Sequence, residues 1–207
     1  MQSNDLSLGK SSMIVKAFYK YIGKAMNHRD QYLKQMEVSK VAHFLAEEYN
    51  KFKRRPSNCG CIHFLHVCVV EEESSTREAI GERRFCVEPP LPSGLFQKYS
   101  NNTGYWNDEL HDETLLRFTQ WTYESTEGYL MVTNLQGTKR GSDFYLTDPV
   151  VLWKDIIRFG NTNSGETFMK KCIDSTVAHL DEQGFLRKFK VCATYIYYFA
   201  HHYSNIA

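Results

Sequence analysis

Dense apolar runs alternate along the chain with longer segments whose apolar residues recur at helical spacing. Residues 13–19 (MIVKAFY) predict the first strand, with Ile14, Lys16 and Phe18 on one face by two-residue alternation. From 31 to 52 the period lengthens to that of a helix. Leu33, Met36, Val41, Phe44, Leu45 and Phe52 follow one side, Glu47, Glu48, Lys51 and Lys53 the other, and Pro56 and Gly60 end it. Residues 62–70 (IHFLHVCVV) predict a single strand, and 71–82 a charged loop. Residues 84–88 (RFCVE) predict a short strand stopped by Pro89, Pro90 and Pro92, a proline cluster suited to a hinge between two halves. A strand over 95–100, a helix over 112–124 and a strand over 129–135 (YLMVTNL) follow. Leu115, Phe118 and Thr122 form the helix stripe. Glycine-bearing loops are predicted at 137–142 and 159–165, and a helix over 166–180. Sheet material first and helix later implies an α+β fold.

Composition adds bounds. The chain has 207 residues, 42% of them hydrophobic, enough for one domain with a real core. Lys plus Arg is 25 and Asp plus Glu 24, a net charge of +1. That balance argues against nucleic acid or an anionic membrane as the main partner. The longest apolar stretch, 191–200, contains Thr194 and three tyrosines, too short and too polar to span a bilayer. Residues 1–12 are polar and Ser-rich, predict a disordered N-terminus and lack the apolar core of a signal peptide. Six irregularly spaced cysteines then read as free thiols in a reducing compartment, so a cytoplasmic location is expected.

Four groups of residues could carry chemistry. Cys59, Cys61, His63 and His66 lie within one short segment, but strand alternation puts the two histidines on opposite faces. They therefore read as a core strand flanked by loop cysteines rather than a zinc cluster. Lys16 sits amid apolar strand residues and must snorkel to water or meet an anion, such as phosphate. Taken alone, a snorkelling edge lysine is the simpler reading. Asn134 and Gln136 end a strand two residues apart, so both can face one cleft, and Asp148 precedes Pro149. Their oxygens are hard ligands suited to Mg²⁺ beside a phosphate, although, taken alone, a strand end and a helix cap are the simpler reading. The loop at 159–165 has the composition of a backbone anion nest or of a plain turn.

Read together, the segments MIVKAFY, QMEVSKVAHFLAEEYN, RFCVEPPLPSGLFQKYSNNTG, FTQWTYESTEGYLMVTNLQG, YLTDPVVL and FGNTNSG resemble, in order, those of the alpha-type atypical protein kinases. The resemblance implies a two-lobed protein-kinase-like α+β fold over residues 13–184. Its parts would be an N-lobe over 13–88, a hinge over 88–94 and a C-lobe over 95–184. It also implies roles. Lys16 matches the lysine that holds ATP phosphates, Glu88 the hinge glutamate that contacts adenine, and Gln136 and Asp148 the metal-binding pair. Gly160, Asn163 and Gly165 fall in the glycine-rich loop associated with substrate peptide. Glu37, on the helix, is a candidate partner for Lys16.

Four departures from the family pattern have physical consequences. Where the family carries its proposed catalytic Asp, this chain has Asn134, and a neutral amide cannot take the proton of a substrate hydroxyl. Losing a general base costs about 10²–10⁴-fold in rate. A His that ligates the family's structural zinc is replaced by Gln120, and only Cys172 and His179 stand near the remaining ligand positions, so that zinc is expected to be absent. Pro89 and Pro90 follow Glu88 and have no N–H, so Leu91 is the first hinge residue able to donate to adenine. Only fifteen residues precede Lys16, and the N-lobe is expected to be incomplete, starting at its lysine strand. Residues 185–207 form an aromatic tail unlike the family. The expected function is an alpha-type serine/threonine kinase of impaired activity. It would use Mg-ATP and a protein substrate with a Ser or Thr acceptor. A pseudokinase binding nucleotide or partners, or a truncated fragment, is the alternative.

Overall fold

The structure, a computed structural model, describes residues 3–8, 11–16, 29–52, 56–72, 83–110 and 112–184. The aromatic tail and residues 17–19 of the first predicted strand lie outside them. Among the described residues, β1 (Ser3–Leu8), β2 (Ser11–Lys16), β4 (Cys68–Glu72) and β5 (Arg83–Glu88) form an antiparallel sheet in the order β1-β2-β5-β4. A second sheet has the order β3-β9-β8-β6, built from β3 (Ile62–Phe64), β6 (Gln97–Lys98), β8 (Gln136–Arg140) and β9 (Asp143–Leu146). A third pairs β7 (Leu130–Thr133) with β10 (Val150–Trp153). The helices are α1 (Arg29–Lys51), α2 (Glu113–Ser125) and α3 (Gly165–Glu182).

The helices fall within about two residues of their predicted bounds because their signals are local. Asp112 caps α2, its carboxylate accepting from the Thr114 N–H at 2.8 Å. The buried stripe of α1 is Val38, Val41, Ala42, Leu45, Ala46 and Tyr49, at helical spacing. Leu33, Met36, Phe44 and Phe52 of the predicted stripe are half-buried at its flank. The small Ala42 and Ala46 sit on the buried face, where bulk would hold the helix off its neighbours. One core joins that stripe to Leu115, Phe118 and Trp121 of α2, Leu130 and Val132 of β7, and Phe144 and Leu146 of β9. Each fully buried Leu or Phe there contributes about 1.5–3 kcal/mol.

The strands depart from the sequence reading in four places. Residues 3–8 are a strand, not a disordered end: β1 pairs with β2 from Ser3↔Lys16 to Leu8↔Ser11, a backbone ladder that does not require apolar side chains. The first sheet therefore starts one strand before the lysine strand. The single strand predicted over 62–70 is two. β3 runs parallel to β9, whereas β4 pairs antiparallel with β5, so residues 65–67 cross from one sheet to another. Both halves are apolar, and periodicity does not register the crossing. The strand predicted over 95–100 reduces to Gln97–Lys98, with Leu95 and Phe96 exposed. The loop predicted at 137–142 is mostly strand. β8 and β9 form a hairpin whose two-residue turn is Gly141–Ser142, with Gly141 at φ +60°. Gly137 is inside β8, not a breaker: a Cβ there would lie 2.0 Å from the Tyr145 carbonyl oxygen.

Candidate active site

Three elements bring charged side chains to one point. β2 delivers Lys16 at its last residue, and β5, paired Ile14↔Glu88 and Lys16↔Cys86, delivers Glu88. The segment between β9 and β10 delivers Thr147 and Asp148. The Lys16 Nζ lies 2.5 Å from Glu88 Oε1, 2.9 Å from Asp148 Oδ1 and 2.9 Å from Thr147 Oγ1. The Thr147 hydroxyl in turn donates to both Glu88 oxygens, at 2.9 Å each. Lys16 and Glu88 are buried, while the Asp148 side chain remains 36% exposed and reachable from the cleft. Burial pushes the Glu88 carboxyl above the ordinary glutamate range, and the Lys16 ammonium opposes that rise. The neighbouring Cys86 thiol is pushed up to about 12, also by burial, and is therefore unreactive at neutral pH.

Asn134 completes the arrangement. β7 ends at Thr133, and Asn134 turns the chain at φ +58°; Asp148 sits at φ +48°. Left-handed backbone is uncommon outside glycine, and Asn and Asp tolerate it best. The Asn134 Nδ2 donates to the Asp148 carbonyl at 2.8 Å. Asn134 and Gln136 thus do not share a strand end, as the alternation implies, because the left-handed residue lies between β7 and β8. Gln136 opens β8 opposite Lys98, and its carbonyl accepts from the Thr147 N–H at 3.0 Å, which sets it beside the Thr147–Asp148 segment.

Lys16, Glu88, Asn134 and Asp148 all line one cavity of about 220 Å³. Gln35 of α1, Val67, Cys86, Pro149, Val150 and Thr162 complete its wall. Gln136, Leu91, Gly160, Asn163 and Gly165 are not among the lining residues; Leu91 is half-buried just beyond β5. Glu37 does not pair with Lys16 but faces Arg158, at 3.3 Å. Helix α1 presents Gln35 to the cleft instead, and nothing in the helical pattern marks it out. Thr147, which links the two carboxylate-bearing segments, stands beside Asp148 in the LTDP motif and was within reach of a sequence reading. Asn163 is spent on its own loop. Its Oδ1 accepts from the Trp153 and Gly165 N–H groups at 2.9 and 3.1 Å. Its Nδ2 donates to the Asp155 and Arg158 carbonyls at 2.8 and 2.9 Å. Gly160 and Gly165 take φ of +79° and +74° within the same loop.

Elsewhere, Gln120 donates to Glu124 at 2.8 Å, the Cys172 thiol is packed among Met131, Leu152 and Met169, and the His179 Nδ1 lies 2.7 Å from the Ser175 carbonyl. Cys59, Cys68, Cys86 and Cys172 carry free thiols. Among the described residues, no helix is long and apolar enough to cross a membrane.

The donor set around Asp148 suits a hard divalent cation. A carboxylate reaches the cleft, two amide side chains, Asn134 and Gln136, stand close in the chain, and one ammonium faces two carboxylates. That leaves a formal surplus of negative charge for a cation to neutralise.

Comparison with known proteins gives the family. The family model described as the alpha-kinase family matches residues 5–177. Alpha-protein kinase vwkA of Dictyostelium discoideum is 32% identical over 156 residues, 75% of this chain and 24% of that protein. The structure of an alpha kinase from Entamoeba histolytica superposes with a TM-score of 0.70 at 25% identity, covering 88% of this chain and 72% of that one. The alpha-kinase domain of myosin heavy chain kinase A, solved with AMP, superposes at 0.65 and 24% identity, covering 83% and 66%. The chain belongs to the alpha-kinase family, a family of protein kinases with an α+β kinase-like fold. It spans about a quarter of the length of vwkA.

Proposed function

We propose that the chain binds Mg-ATP in the cleft between Lys16 and Asp148 and transfers the γ-phosphate to a Ser or Thr of a protein substrate, at a rate lowered by Asn134. The observation that carries this reading is the convergence of Lys16, Glu88, Asn134 and Asp148 on one cavity. Lys16 exchanges its contact with Asp148 for phosphate oxygens, while Glu88, held by Thr147, keeps the ammonium oriented. Asp148 and Gln136 would hold Mg²⁺, which when bound offsets the negative charge of the phosphates. In the transfer, the acceptor oxygen bonds to the γ-phosphorus, and the bond to the β,γ-bridging oxygen breaks to release ADP. The hydroxyl proton passes to solvent or to the phosphoryl oxygens, because the Asn134 amide is no base. A loose transition state makes such unassisted transfer slow rather than forbidden. Leu91 supplies the first hinge N–H after the two prolines, and the loop at 159–165 flanks the acceptor through Thr162. The free thiols of Cys59, Cys68, Cys86 and Cys172 fit a cytoplasmic location.

A second reading, a nucleotide-binding pseudokinase, is favoured by one contact: the Asn134 amide is committed to the Asp148 carbonyl. Thermal melts with and without Mg-ATP test both. Ligand at about 100 times its dissociation constant adds about 2.7 kcal/mol of stability. No shift sinks both readings. A shift followed by transfer of labelled phosphate to a Ser/Thr peptide library supports the kinase. A shift without transfer supports the pseudokinase.

A further inference from the structure

Cys61, His63 and Asp143 do not line the cleft; they lie at the edge of the second sheet, at β3 and its neighbour β9. Two-residue alternation puts Cys61 and His63 on one face of the β3 segment. β3 runs parallel to β9 with Ile62 opposite Phe144, which sets Asp143 beside Cys61. The sulfur, one imidazole nitrogen and a carboxylate oxygen all lie within 4.8 Å of one another. His66, which the sequence groups with them, is elsewhere, its ring 4.0 Å from that of His43. Cys59 is buried near Thr114 and Tyr49. The sequence cluster is thus broken, and a different trio, completed from the next strand, takes its place.

Two members of the trio, Asp143 and His63, are already oriented. Asp143 Oδ1 accepts from the Cys61 N–H at 2.8 Å and from the Ser142 hydroxyl at 3.2 Å. The His63 ring stacks on Tyr145, its partner in β9, at 5.0 Å and 26°. His63 is exposed and Cys61 and Asp143 are half-buried, so an ion can enter from solvent. Such outer contacts that fix a ligand's orientation are a common feature of metal sites.

We propose that Cys61, His63 and Asp143 bind a divalent transition metal, zinc first, with water in the fourth position. Zinc takes thiolate, imidazole and carboxylate together at about 2.0–2.3 Å, which requires the three donors to close to about 3.4–3.8 Å. Side-chain rotation accomplishes this from the present spacing. The mixed soft and hard set disfavours Mg²⁺ and Ca²⁺, which prefer oxygen alone. Such a metal ties β3 to β9, whose next residues after Leu146 are Thr147 and Asp148. Binding here therefore steadies the strand that leads into the segment bearing the cleft carboxylate. The inference does not depend on kinase activity.

Chelator-treated full-length chain, titrated with Co²⁺ and then Zn²⁺, tests it. The expected results are one ion per chain, a thiolate-to-cobalt charge-transfer band with tetrahedral d–d bands, and a rise in melting temperature with zinc. Cys61→Ser should abolish the charge-transfer band, and His63→Ala should weaken zinc binding by about tenfold or more. His63 is exposed and its ring contact is with Tyr145, so its removal shifts the metal-free melt far less than it shifts the zinc-bound one. A wild type without the thiolate band, or a band and affinity unaltered in both variants, would overturn the proposal.

Discussion

Asn134 and Asp148 are bound to each other backward. The side chain of one holds the main chain of the other, Nδ2 to carbonyl oxygen at 2.8 Å, and both have left-handed backbones, at φ +58° and +48°. Two uncommon conformations held by one amide are a local cost that the surrounding structure over-determines, a pattern concentrated at functional sites. A carboxylate at 134 could not donate this bond. Asn134→Asp therefore has two opposed expected effects. Stability falls by about 1–3 kcal/mol, because the Asp148 carbonyl loses its donor. Phosphate transfer to a Ser/Thr peptide rises about 100-fold or more, because the acceptor hydroxyl gains a base. Urea unfolding reads the first and labelled-phosphate transfer the second. Equal transfer rates in the two proteins would refute a degenerate catalytic role for this position.

Lys16 is the only cation in contact with the buried Glu88 carboxylate among the described pairs. Lys16→Met leaves that carboxylate without its ammonium, and the expected cost is about 3–5 kcal/mol. Adding Glu88→Gln removes the stranded charge and should recover part of the loss. A double-mutant cycle by urea denaturation should therefore show strong coupling between the two. Mg-ATP should stabilise neither Lys16→Met nor the double variant. Additive stability losses would mean that the pair is not energetically linked.

The cleft was legible in fragments. Lys16, Asp148 and Asn134 stand out in ordered motifs, but Lys16 alone reads most simply as a snorkelling lysine. The three helices were legible because period and caps are properties of neighbours in sequence. The sheets were not, since pairing is decided by residues far apart. β3 and β4 belong to different sheets, yet the run from 62 to 70 is uniformly apolar. Gly137 reads as a breaker when the hairpin partner that demands a bare Cα, Tyr145, is out of view. The same limit hid the side-chain partner of Lys16. The β2–β5 pairing puts Lys16 opposite Cys86, within side-chain reach of Glu88 two residues on, while Glu37, plausible on the helix, is turned to Arg158.

Stability should fall as pH rises through the raised range of Glu124. Burial pushes this carboxyl above the ordinary glutamate range, opposed by the Gln120 amide that donates to it. A carboxyl whose folded-state value is raised contributes stability that is full below its unfolded value and lost as pH climbs through the folded one. Glu88, raised by the same cause, has the same sign. Gln120 Oε1 and Glu124 Oε2 are buried without a hydrogen-bond partner among the described residues. Glu124→Gln supplies an N–H₂ on that side and cannot ionise. The variant should be more stable than wild type at neutral pH, with the gap closing on acidification. Parallel melting curves for the two proteins across the acidic range would contradict the assignment.

The 159–165 loop should depend on Asn163 more than on its glycines. One buried amide makes four hydrogen bonds, two accepted from the Trp153 and Gly165 N–H groups and two donated to the Asp155 and Arg158 carbonyls. These tie the end of β10 to the start of α3 across the turn. Asn163→Ala strands all four partners, and the expected loss is about 2–3 kcal/mol. Asn163→Asp keeps both acceptances but sets a carboxylate against two carbonyl oxygens, so it should fare no better than Ala. Proteolysis should then cut within this loop under conditions where wild type is intact. If the loop serves the acceptor peptide, both variants should raise the KM for peptide while the Mg-ATP melt shift is kept. A loss of nucleotide response together with peptide affinity would instead tie this loop to the nucleotide phosphates, since Thr162 lines the shared cavity.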